Sequence, residues 1–149
     1  MTDTTDHEWL QLQKEYNRLR MGEIWQKGKR GEPQTGEEAR LVKIMGLHHS
    51  YIDIWDHLDE LTDEEIERDG VNPVLHAQFH LVVENQIAEK NPKEVGSIVK
   101  ELTGKGYTRH EAIHAIANVL VIEMFNMLKE QKPYNEARYL RELRKIPKK

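Results

Sequence analysis

The sequence predicts an all-α protein, an antiparallel bundle of about five to seven helices. Three observations carry that expectation. A Thr-x-x-Glu pattern, in which each residue satisfies the other's backbone N–H at a helix start, occurs at Thr35/Glu38, Thr62/Glu65 and Thr108/Glu111. Two Asn-Pro steps, Asn72-Pro73 and Asn91-Pro92, set an N-cap before a proline suited to the first helical turn. No stretch alternates apolar and polar residues for long enough to make a strand.

The elements follow in order. A first helix is expected from Asp6 to Lys27, with Trp9, Leu12, Tyr16, Leu19 and Trp25 among its apolar positions. Residues 28–36, GKRGEPQTG, make a loop. Thr35 caps a helix running to about Leu58, and Thr62 caps a short one ended by Gly70. Asn72-Pro73 opens a long helix, and Asn91-Pro92 opens another that runs to about Leu102. Thr108 caps the next, Pro133 breaks it, and a terminal helix covers Asn135 to Arg144. The chain of 149 residues is long enough to bury a core. One domain is expected over residues 1–149, with an N-terminal helix and loop to residue 35 and a histidine-rich bundle over 36–146.

Composition narrows the function. A net charge of −4 argues against general nucleic-acid affinity, which wants a basic stripe. The basic C-terminal residues Arg141, Arg144, Lys145, Lys148 and Lys149 are interleaved with Glu136 and Glu142, as on a solvated helix end. The absence of cysteine excludes disulfides, thiolate zinc sites and a cysteine nucleophile. Any metal is therefore held by His and carboxylate, which favours iron, zinc, manganese or nickel over Cu(I). No apolar run reads as a membrane span of about 18 residues. The acidic start MTDTTDHEWLQ lacks the basic and apolar regions of a signal peptide, so a cytoplasmic location is expected.

The chemistry lies in two histidine pairs, His76/His80 and His110/His114. Four residues apart on a helix, both rings of a pair project from one face and can ligate one ion or one ion each of a close pair. With 8 His in the chain, shuffling yields only about 0.4 such pairs, so two need a reason. At 100° per residue, His76 and His80 lie about 160° from Gln78, the centre of the polar face, and so point inward; Glu84 remains on the inward half. His110 and His114 edge the apolar arc of Ile113, Ile116, Ala117, Leu120, Val121 and Met124, in line with Phe125 and Leu128. His48 falls in the inward stripe of its helix, whereas His49, Asp53 and His57 form a separate surface stripe beside Asp56 and Glu60. Five imidazoles left in a core without partners would cost several kcal/mol. A metal would satisfy them together.

Three functions fit. The first is a metal centre for one or two transition-metal ions held by His48, His76, His80, Glu84, His110 and His114, with redox or oxygen chemistry at non-haem iron as its favoured form. The spacings His80-x-x-x-Glu84 and His110-x-x-x-His114 resemble two of those in the hemerythrin family, and His48 matches that family's lone histidine. The family's further His and carboxylate, five apart on one helix, have no counterpart here. The second is zinc-dependent hydrolysis, because His110-Glu111-Ala112-Ile113-His114 matches H-E-x-x-H, with Glu111 as the catalytic base. Against it, no third ligand follows in the usual spacing, and Glu111 stands where a capping box wants glutamate. The third is a non-catalytic interaction module with structural histidines or a structural metal. Loss of function on metal removal separates the first two from the third.

The stretches NPVLHAQFHLVVENQIAEKNP and TRHEAIHAIANVLVIEMFNMLKEQKPYNEARYLRELRKI resemble an uncharacterised bacterial family of domains of unknown function. Its members read N-P-x-x-H-x-x-x-H-x-x-x-E-x-Q followed by R-H-E-A-x-H. The resemblance covers roughly residues 36 to 146 and places His76, His80, Glu84, His110, Glu111 and His114 on the motif positions. An upstream histidine of the family falls on His48, and a second, four residues later, is Ile52 here. The resemblance supports the motifs and implies no activity.

Overall fold

The structure, a computed structural model, describes residues 3–147. Among them are seven α-helices: α1 (Asp3–Lys29), α2 (Gly36–Leu47), α3 (Ile52–Trp55), α4 (Pro73–Glu89), α5 (Glu94–Thr103), α6 (Arg109–Glu130) and α7 (Glu136–Leu143). A short 3-10 helix, His49–Tyr51, precedes α3, and the described residues contain an isolated bridge, Arg68 to Val71, but no strand. The fold is all-α, as the caps and periodicity predict. The chain divides into two compact units, Met1–Gln78 and Phe79–Lys149, the division falling inside α4.

In the first unit α1 packs on α2, and α2 on α3. Met21, Ile24, Trp25, Leu41, Ile44, Met45, Trp55 and Leu58 are buried. Gly22 permits the closest approach, since a Cβ there would lie 3.0 Å from the Cβ of Leu58. Trp25 Nε1 (2.9 Å) and Lys29 Nζ (2.7 Å) both donate to Asp56, and buried Arg18 donates to Asp63 at 3.1 Å. Leu12, Tyr16 and Leu19 of α1 are exposed. The Trp9 side chain lies outside the described residues.

Two elements depart from the expected pattern. The helix expected to run to Leu58 stops at Leu47, and its carbonyls explain why. Ile44 O accepts from the His48 ring at 2.8 Å, while Met45 O accepts from the His48 backbone at 3.1 Å and from Trp55 Nε1 at 2.8 Å. Acceptors that would continue the helix are thus taken. The helix expected after Thr62 is a single turn. Its capping bonds form, at 2.9 and 3.1 Å, but Ile66 is its one buried residue, too little to sustain a helix.

In the second unit α6 packs against both α5 and α7 around a core that includes Val83, Val95, Ile98, Leu102, Ile113, Ile116, Leu120, Tyr139 and Leu143. The capping box at Thr108 forms, Asn135 caps α7, and α6 ends at Gln131 in the left-handed region, φ 54°. The bond Asn91-Pro92 is cis, and α5 starts at Glu94, later than expected. Contrary to the sequence expectation, α6 is long and apolar enough by composition to cross a membrane, because Glu123 is its one charge between Glu111 and Lys129. One face of α6 nevertheless belongs to this core. Phe125 and Leu128, at the C-terminal end of the His110/His114 line, are exposed.

Candidate metal centre

His48 closes α2 and is 9% exposed. Its Nδ1 lies 2.8 Å from the Ile44 carbonyl. A carbonyl only accepts, so Nδ1 carries the proton and Nε2 of the neutral ring carries the lone pair. An Nδ1–H bonded to backbone oxygen is the arrangement that orients and tunes metal-ligating imidazoles. Tyr51 stacks on the His48 ring, with centroids 6.1 Å apart and planes at 11°. The His76 ring meets it edge-on, with centroids 4.9 Å apart.

On α4, His76 and His80 occupy successive turns, because Asn72 and Pro73 start the helix in the expected register. The Asn72 side chain accepts from Leu75 N at 3.1 Å. Asn72 thus sets the phase that aligns the two rings. Imidazoles aligned in this way could serve as ligands of a metal ion.

In the second unit His80, 2% exposed, is flanked by both histidines of α6. Its ring centroid is 5.4 Å from that of His110 and 5.4 Å from that of His114. Burial, and then the neighbouring His110, hold the His114 pKa below the usual 6.5. That shift favours the neutral, ligating form.

The expected carboxylates are occupied elsewhere. Both oxygens of Glu84 accept from Arg109, at 2.6 Å from Nη1 and 2.8 Å from Nη2. Glu111 Oε1 accepts from Thr108 N at 2.9 Å, completing the capping box. His49, Asp53 and His57 are exposed, with Asp53 bound to Arg68 and His57 Nδ1 3.2 Å from Glu60.

Two neighbours of the histidines, and one ion pair apart from them, were not anticipated. Arg109 was legible only as the residue before His110, and nothing local ties it to Glu84, 25 residues away. Tyr51 came close to His48 through the break after α2. Glu123, a carboxylate amid an apolar arc, needed a basic partner, and it is Arg138 at 2.7 and 2.9 Å.

Fold and site together define an all-α protein in which histidines gather within each unit, His48 by His76 and His80 by His110 and His114. The chain belongs to the family described as a domain of unknown function, DUF1841, whose pattern matches residues 13–145. No curated protein and no solved structure matches it.

Proposed function

We propose that this protein binds one or two transition-metal ions through its histidines, His80, His110 and His114 in the second unit and His48 and His76 in the first. The single observation behind the reading is the gathering of three imidazoles inside the second unit, where the His80 ring centroid lies 5.4 Å from that of His110 and 5.4 Å from that of His114. Structural and catalytic zinc, non-haem iron and nickel all accept imidazole donors. Iron, zinc and nickel fit the set better than manganese, because Glu84, the carboxylate that a harder ion would want, is engaged by Arg109.

Redox or oxygen chemistry at iron stands ahead of zinc hydrolysis. A hydrolase would use Glu111 as its base, yet that side chain serves the start of α6. The discriminating experiment replaces His48, His76 and His80 one at a time by alanine and measures uptake of Zn2+ and Fe2+ by calorimetry under anaerobic conditions. Each variant is expected to lose most of the affinity. Wild-type affinity in all three would reject the reading.

A further inference from the structure

We infer that Glu84 and Arg109 form the positioning pair of the second unit's histidine cluster, the bridge that sets His80 against His110 and His114. The inference rests on the metal-site reading for its function and on the geometry of α4 and α6 for its form. Glu84 lies one helical turn beyond His80, and Arg109 directly precedes His110. The bridge therefore ties the two helices together within one turn of the histidines on each.

Its geometry suits that task. Two parallel N–H···O bonds, 2.6 and 2.8 Å, fix both the separation and the plane of the partners, which a lysine point charge would not. The Glu84 side chain is 19% exposed and that of Arg109 56%, so the carboxylate is the sheltered partner, and the guanidinium reaches in to it. A second tether lies half a turn further along α4, where Gln86 Oε1 accepts from the Tyr139 hydroxyl of α7 at 2.9 Å. The half of α4 that follows His80 is thus pinned to α6 by charge and to α7 by a neutral bond. In this arrangement Glu84 acts on the metal through His80 and His110 and is not itself a ligand.

The test uses the full chain as wild type, Glu84→Gln, Arg109→Met, Arg109→Lys and the charge swap Glu84→Arg/Arg109→Glu, with Co2+ alone as the probe. Affinity and visible absorption are read together, and the ring-proton NMR shifts of His80, His110 and His114 are compared before metal is added. Loss of an outer partner of a ligand costs about 10- to 100-fold in metal affinity. Glu84→Gln and Arg109→Met are both expected to weaken Co2+ binding on that scale, alter the absorption bands and move the ring-proton shifts. Arg109→Lys is expected to fall between, and the swap to recover most of the affinity. Wild-type affinity, bands and shifts in Glu84→Gln would overturn the inference. So would a weak Glu84→Gln together with an unaffected Arg109→Met and no rescue by the swap, since that pattern makes Glu84 a ligand. If the wild type takes up no Co2+, the metal reading falls, and the positioning role then stands or falls on the ring-proton shifts.

Discussion

To serve the proposed metal, each imidazole must offer a lone pair in a set direction. His48 meets that condition through its bond to the Ile44 carbonyl, and His114 through a pKa held down by burial and by His110. A histidine whose folded pKa lies below its unfolded value leaves the unfolded chain binding more protons. Stability is therefore expected to fall as pH drops below 6.5 through the lower folded pKa. A thermal melt series at fixed ionic strength checks it, and His114→Gln should flatten that part of the profile. Glu123 makes the analogous case at lower pH. It is 3% exposed, and the Arg138 hydrogen bonds hold its carboxyl below the usual carboxylate range. Its contribution is present above the unfolded pKa of about 4.3 and is lost as pH falls through the depressed folded value. Arg138→Met, which strands that carboxylate, is expected to cost about 2 kcal/mol at pH 7 by chemical denaturation. Equal stability of that variant and wild type would show that the pair contributes nothing net. Glu111→Gln keeps the cap and is expected to leave metal content and stability near wild type. Loss of a peptidase activity in that variant, with zinc retained, would instead revive the hydrolase reading.

Among the elements, most helix starts were legible because caps are local, the exception being α5, which was expected from Asn91-Pro92 and starts at Glu94 without a side-chain cap. Thr35, Asn72, Thr108 and Asn135 each bond a backbone N–H within three residues, and each opens a helix where the sequence puts it. Ends set by distant partners were not. The stop at Leu47 depends on Trp55 reaching back to Met45, and the failed helix after Thr62 on how little of it is buried. The inward phase of His76 and His80 followed from the 3.6-residue period, whereas the Arg109 partner of Glu84 is a contact between helices that no period encodes. The two kinds of cap lead to a graded expectation. Thr108→Ala, at the head of 22 residues of helix, is expected to destabilise by about 1 kcal/mol, and Thr62→Ala, which caps one turn, by clearly less. Equal losses in denaturation would mean that the cap acts only on its own turn.

For the molecule as a whole, the proposed metal would link binding to folding. An ion held by the folded chain and not by the unfolded one raises stability with its concentration, and protons compete for the same nitrogens. Chelation is expected to lower the melting temperature at pH 7.5, with a smaller effect near pH 5, where the imidazoles are already protonated. The most direct measurement is the metal content of the full-length protein purified without an affinity tag from metal-replete cells. Near-stoichiometric iron, zinc, manganese or nickel, falling in the His76→Ala and His80→Ala variants, is the expected result. Protein that emerges free of metal and takes up none of the four when they are added would contradict the account.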